Sequence, residues 1–288
     1  MGISSHPTPT PLTCMVGIQY GEADGVPLYL DLLYPYPLPD KPLPTVVEIP
    51  LSAWNEAHRG WAMSPSGNPF LAAHGFATVS ASVRLSQQAP FPAQLHDARA
   101  IIRWLRANAQ HYSIDPERIG VRGSSASGHL ASLLGLTADL PLLEGSSGSP
   151  GYSSQVQAVM TICAPSDFLL PGGEMLNDVP LPHPVTQLFG GTVQEREELM
   201  RLASPLTYVT SDAPPFLIVH GTHDETVPFE QGQRLYQALQ AVGVKATFVP
   251  IPDAYHNLRE DPSLPWEGEI WSTIGQLGLH FFQQHLCR

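Results

Sequence analysis

Cysteine is scarce and poorly placed for cross-linking. The 288-residue chain has three, Cys14, Cys163 and Cys287, far apart, odd in number and without CxxC spacing. That argues against a disulfide framework and against a structural zinc site. Charge is also in short supply. Charged residues make up 14% of the chain, against about 25% in an average soluble domain. Basic residues are the scarcer kind, 14 against 26 acidic ones, for a formal charge of −12. That balance does not suit a nucleic-acid binder, because phosphates need a basic face. No apolar run reaches the ~18 residues of a membrane span. The start, MGISSHPTPTPLTC, lacks the charged and apolar regions of a secretory signal. No period of about 20–50 residues recurs, which sets aside solenoids and propellers. The expectation is a soluble, cytoplasmic protein with a small-molecule partner, no nucleic acid and no membrane; the oligomeric state is not legible.

What is present points to a packed core. Apolar residues make up 43% of the chain, and a chain of roughly 300 residues buries about three quarters of its unfolded surface. Proline is abundant, 30 of 288, but scattered through loops rather than run together. Short apolar runs alternate with helical patterns. Thr45–Ile49, Ala77–Val83, Arg118–Arg122, Val156–Cys163, Pro215–His220 and Ala246–Ile251 read as strands. Asn68–His74, Pro92–Gln110, Ala126–Leu136, Phe229–Val242 and Trp266–His285 read as helices. Gly243 is a natural stop after one of them, and Asp115-Pro116 reads as a turn. Strands separated by helices imply a mostly parallel α/β sheet with helices on both faces. Tyr29–Tyr34 suggests antiparallel edge strands. Two stretches break the rhythm: a Gly/Ser-rich surface loop at Pro141–Ser154, and Ser166–Leu206, with a short helical patch at Gln194–Leu202. The second reads as a small lid inserted after a sheet strand. No clean boundary is visible, so residues 1–288 are taken as one domain with a lid-like insertion at about 166–206.

The strongest local signal is VRGSSASGHLA at Val121–Ala131, read as strand, sharp turn and helix. A serine at such a turn stands with its hydroxyl exposed above the sheet, and the residues two before and two after it must be small. Ser125 fits best, with Gly123 before it and Ser127 after it, followed by Gly128. Ser124 and Ser127 fit worse, since each would place a larger residue two positions earlier. A serine nucleophile needs a base, and the base needs an orienting carboxylate. Asp224 lies in the loop after the strand FLIVHG, and His256 in the loop after VPI. Both therefore fall past the C-terminal ends of strands, where ligands bind in parallel sheets. The order Ser, Asp, His is one used on such sheets.

These residues carry a resemblance. The chain resembles the α/β-hydrolases, and within them the carboxylesterase and lipase branch that includes small feruloyl- and acetyl-xylan-type esterases. The likeness runs from about Gly17 to the end. Besides the serine turn it includes PFPAQLHDARAIIRWLRANAQHYSIDPERIGV and HGTHDETVPFEQGQRLYQAL. It implies an α/β-hydrolase fold and a serine carboxylic-ester hydrolase working through an acyl-enzyme on short-chain or aryl esters. In it Ser125 would be the nucleophile, Asp224 the acid and His256 the base, with no cofactor or metal required. One motif departs: where the family carries HGGGW, this chain has Pro50-Leu51-Ser52-Ala53-Trp54. Backbone amides do the binding, so Ser52, Ala53 and Ala126 are the expected oxyanion donors, with a reshaped approach. Trp54, Phe168 and Tyr208 are expected to line the substrate pocket, although each could equally be core.

Other readings stay open at this point. Glu225 rivals Asp224 as the acid. His220, His223 and Asp224 could be imagined as a metal cluster, although no HExxH-like spacing supports it. His129 reads as packing, and Asp97 and Arg99 as structural ion-pair members. An amide-cleaving hydrolase (formamidase or peptidase) on the same fold is an alternative, as is a ligand-binding descendant without chemistry.

Overall fold

The computed structural model describes residues 11–64, 66–138, 140–169 and 183–287. Eight strands form one sheet: β1 (Leu12–Ala23), β2 (Val26–Pro35), β3 (Leu43–Glu48), β6 (Ala77–Ala81), β7 (Ile114–Ser124), β8 (Ala158–Ile162), β9 (Phe216–Gly221) and β10 (Ala246–Ile251). Two short strands, β4 (Leu51–Ser52) and β5 (Glu56–Ala57), pair separately as a hairpin. The sheet order is β1-β2-β6-β3-β7-β8-β9-β10. Strands β1 and β2 are antiparallel to their neighbours, and the remaining pairings are parallel.

Local sequence explains these elements. Asp24-Gly25 joins β1 to β2 with positive φ at both residues, 51° and 76°; an Asp-Gly two-residue turn matches the twist of a hairpin. The interior strands are buried along their whole length at β6, β8 and β9. Strands buried on both sides in this way belong to a sheet covered on both faces. Helices α1 (Asn68–Ala73) and α7 (Glu269–Leu286) cover one face, where Leu71, Phe76, Met160, Trp271 and Phe282 pack together. Helices α2 (Ala93–Ala107), α3 (Ala126–Leu136) and α6 (Phe229–Ala241) cover the other, around Leu95, Ile102, Leu130, Phe216 and Leu235. Gly243, at φ 82°, follows α6 where a stop is expected. None of the described helices is long and apolar enough to cross a membrane.

Three expectations are refined. Asp115-Pro116 is not a turn before β7 but part of the strand's irregular start. The Asp115 carboxylate accepts the Glu117 amide at 3.0 Å and the Arg118 guanidinium at 2.6 Å, and the pairing with β3 slips there. The Pro141–Ser154 stretch is tied down rather than loose. Leu143 is buried in a short 3-10 turn, and Glu144 bridges the buried Arg99 and Arg103 of α2. The described part of the expected insertion holds α4 (Pro184–Phe189) and α5 (Val193–Ala203). α5 begins with a reciprocal cap between Thr192 and Glu195. Residues 170–182 of that insertion lie outside the described residues.

The topology positions the site. The chain leaves β3 for β6 on one side and returns to β7 on the other. The loops after β3 and β7 therefore diverge, and the crevice between them is where open α/β sheets bind ligands.

Candidate active site

Ser125 sits between the last residue of β7 and the first of α3, with φ 53° and ψ −124°. A non-glycine residue in such a conformation costs on the order of 1–3 kcal/mol and is kept only where its surroundings over-determine it. The surroundings are tight. A Cβ on Gly123 would come within 2.5 Å of the Ser127 backbone, and one on Gly128 within 2.6 Å of Ala164 Cβ. Strand and helix approach so closely that only glycine fits at both points. The Ser125 amide donates to Ile162 O at 2.8 Å, which fixes the turn to β8.

His256 comes from the loop after β10 and Asp224 from the loop after β9. His256 Nε2 lies 3.0 Å from Ser125 Oγ. Its Nδ1 lies 2.8 Å from Asp224 Oδ2 and 3.0 Å from Oδ1. Asp224 is further held by the amides of Thr226 (3.0 Å) and Val227 (2.8 Å) on Oδ1, and His220 Nε2 stands 3.3 Å from Oδ2. Burial opposes ionisation of Asp224. Hydrogen bonds from His220 and His256 outweigh it and hold the carboxyl well below the ordinary range. An ionised Asp224 accepts from His256 Nδ1–H, so Nε2 is left to accept from the Ser125 hydroxyl. The half-exposed Trp266 ring packs on His256 in a T-shaped contact, centroids 5.2 Å apart.

This arrangement can take a proton from a hydroxyl and stabilise the imidazolium that results. It also offers backbone amides nearby. Ala126 opens α3, where the first amides have no acceptor within the helix. Across the crevice, a cavity of about 270 Å³ is lined by Ala53, Trp54, Ser125, His183, Pro184, Val185, Glu225 and Thr226.

Among the expected site residues, Ser125, His256 and Asp224 come together, and Ala53, Trp54 and Ser125 share the cavity. Ser52 does not line it; it is paired with Glu56 in the β4–β5 hairpin. Phe168 is corrected to a core residue. It is buried behind Trp54 and packs on His129 and Phe189 at 5.0 and 5.1 Å. Tyr208 is likewise absent from the lining, and its hydroxyl is committed to Leu202 O at 2.8 Å. Glu225 borders the cavity but makes no bond to His256. His129 is buried between Trp54 and Ala203, and burial pushes its pKa down to about 4. Asp97 pairs with Arg84, and Arg99 with Glu144, away from the serine.

The imagined metal cluster does not assemble as expected. His223 is exposed and faces Asp253 at 3.8 Å. His220 and Asp224 instead group with Cys163, their candidate ligand atoms lying within 4.8 Å of one another. Burial and the Asp224 carboxylate push the Cys163 thiol well up, and Asp224 is already engaged by His256 and by the Thr226 and Val227 amides. This donor set suits a buried hydrogen-bond network better than an ion.

The sequence reading missed His183, Pro184, Val185 and Thr226 as cavity residues. Thr226 was within reach, two residues past Asp224. The other three come from the insertion, and nothing in their local pattern marks them.

Comparison with known proteins places the chain in a family. A profile of the BD-FAE family matches residues 30–239. The chain is similar to Esterase LipC of Mycobacterium tuberculosis, 33% identical over 226 residues, covering 76% of this chain and 54% of that protein. It is also similar to Esterase LipQ of the same organism, 30% identical, with 76% and 51% covered. The chain thus spans about half the length of these relatives. Among solved structures, a truncated carbohydrate esterase from gut microbiota superposes with TM-score 0.80 at 27% identity, covering 98% of this chain and 99% of that one. Esterase 2 of Thermogutta terrifontis, bound to propionate, superposes at 0.74 with 22% identity, over 96% and 94%, a likeness of fold. The chain has the α/β-hydrolase fold and belongs to the BD-FAE family.

Proposed function

We propose that the protein is a serine carboxylic-ester hydrolase acting on small esters with short-chain or aryl groups. The observation that supports this most is the run of hydrogen bonds from Ser125 Oγ through His256 to Asp224, 3.0 and 2.8 Å long. His256 Nε2 takes the Ser125 proton as Oγ attacks the ester carbonyl. Negative charge gathers on the carbonyl oxygen, beside the Ala126 and Ala53 backbone, where amide donors act without reorganising. His256 then gives its proton to the departing alkoxide, and an acyl-Ser125 ester remains. Water, deprotonated by the same nitrogen, attacks that acyl group; as the intermediate collapses His256 gives the proton to Ser125 Oγ, releasing the carboxylic acid and restoring the free serine. Asp224 keeps the imidazole in the one tautomer that serves each step.

The esterase names of the relatives support the reaction class, and the carbohydrate esterase neighbour supports a sugar alcohol part. We take the chain as one domain whose insertion at about 166–206 borders the cavity through His183, Pro184 and Val185. A cytoplasmic address fits the three cysteines, which stand as free thiols.

The test is a p-nitrophenyl ester series from acetyl to octanoyl, with methyl ferulate, an acetylated sugar and a matching anilide beside it. Ester turnover that falls with acyl length and disappears in Ser125→Ala is the expected result. Turnover of the anilide but not the esters would replace the reading by amide cleavage, and no turnover of any would remove it.

A further inference from the structure

The loop after β3 is in a conformation its residues do not favour. Ala53 and Trp54 are consecutive non-glycine residues with φ of 47° and 57°. L-residues enter this region at a cost, and two in succession persist only where neighbours hold them. Yet this loop brings Ala53 to the cavity beside Ser125, and donors to an oxyanion work only when placed to within a few tenths of an ångström.

Two of the holding groups, Ser127 and His129, come from α3. Ser127 is buried, and its Oγ accepts the Leu51 amide at 3.1 Å and donates to the Ile49 carbonyl, where the loop leaves β3. At the far end, Trp54 Nε1 donates to His129 Nδ1 at 3.2 Å, and the Ser86 amide donates to Trp54 O at 2.8 Å. His129 is itself fixed by Ala203 O at 2.7 Å from Nε2. Ser52 and Ala53 are thus suspended between two anchors. The steric demand of the serine turn is met at Gly123 and Gly128, so it gives no reason for a hydroxyl at residue 127. That hydroxyl is spent on the loop.

We propose that Ser127 is a positioning residue whose hydroxyl pins Ile49 and Leu51 and so holds the Ala53 backbone at the oxyanion site of Ser125. Ser127 does not border the cavity, so it acts through the loop rather than on the substrate. The inference rests on the ester-hydrolase reading. It links the two departures from the family motifs: serine in place of the last glycine of GxSxG, and PLSAW in place of HGGGW. A side chain gained on the helix anchors a loop whose own glycines are missing.

The experiment compares Ser127→Ala, Ser127→Gly and Ser125→Ala with the unsubstituted chain on p-nitrophenyl acetate. Inhibition by a trifluoromethyl ketone, whose adduct carries an oxyanion, is measured alongside. In Ser127→Ala, kcat should fall roughly 10- to 100-fold with KM within about twofold, and ketone affinity should weaken by a similar factor. The melting temperature should stay within about 5 °C. Should the alanine variant not fold, the glycine variant must show the same pattern. A folded variant with unchanged kcat, or with KM alone raised, overturns the proposal. Failure of both variants to fold also overturns it, making Ser127 structural. Failure of the underlying reading looks different: Ser125→Ala would keep full turnover, and the positioning role would fall with it.

Discussion

Asp224 Oδ2 lies 2.8 Å from His256 Nδ1, while Asp224 Oδ1 is tied to the amides of Thr226 and Val227. The carboxylate is therefore fixed on one side by backbone and presents its other side to the imidazole. An amide there could aim an N–H at His256 and favour the wrong tautomer. Asp224→Asn should lower kcat roughly 10³- to 10⁴-fold with little loss of fold. Steady-state kinetics with circular dichroism on the same samples check both parts.

Gly123 is the narrowest point of the serine turn. A Cβ there would lie 2.5–2.7 Å from three atoms of Ser127, two of them backbone. Backbone cannot step aside as a side chain can, so Gly123→Ala should displace α3 from β7. Activity should fall at least about 100-fold, and stability by about 2–4 kcal/mol, read by thermal unfolding.

Glu144 holds together the loop that follows α3. It bridges Arg99 and Arg103, both buried, and also accepts from Ser154 at 2.9 Å. Removing one partner of a buried ion pair is costly because the remaining charge stays desolvated, typically about 3–5 kcal/mol. Glu144 itself is partly exposed, so a loss near 3 kcal/mol is expected for Glu144→Ala. Urea unfolding at pH 7 measures it. The kinetics of the folded variant should be unchanged, since the pair lies away from the cavity.

His129 gives stability a pH dependence of definite sign. Burial lowers its pKa from 6.5 to about 4, with the Ala203 carbonyl opposing. Between those values the unfolded chain binds a proton that the folded chain refuses. Stability should therefore be complete above pH 6.5 and fall as the pH drops towards 4, by up to roughly 3 kcal/mol. The depressed Asp224 carboxyl acts below the ordinary aspartate range and so outside this window. His96 and His183, also lowered by burial, act in the same direction. The contribution of His129 is therefore the difference from His129→Gln, whose stability should change less between pH 7 and pH 4.5.

The legible parts of the molecule were those where backbone geometry dictates residue type. The turn at Ser125 needs glycine at Gly123 and Gly128, and it can be read from eleven residues. Asp224 and His256 could be placed because each follows an apolar strand, and a parallel sheet puts all such loops along one edge. The cavity wall was not legible. His183, Pro184 and Val185 are 58 to 60 residues from Ser125 in sequence and sit in an irregular insertion, so only folded coordinates bring them near. Phe168 and Trp54 look alike as aromatics before loops, yet Trp54 borders the cavity and Phe168 lies behind it in the core. Ser127 read as a small stand-in for glycine. Its bond to Leu51 spans 76 positions and no local pattern marks it.

The central claim is that the Ser125 hydroxyl becomes a nucleophile because His256 stands 3.0 Å away. It is tested most directly by labelling the full chain with a fluorophosphonate and mapping the adduct by peptide mass spectrometry. One phosphonate per chain is expected, on Ser125, with labelling abolished in Ser125→Ala and slowed at least about 1000-fold in His256→Ala. An adduct on another residue, or no adduct on a folded protein that still hydrolyses esters, would contradict it.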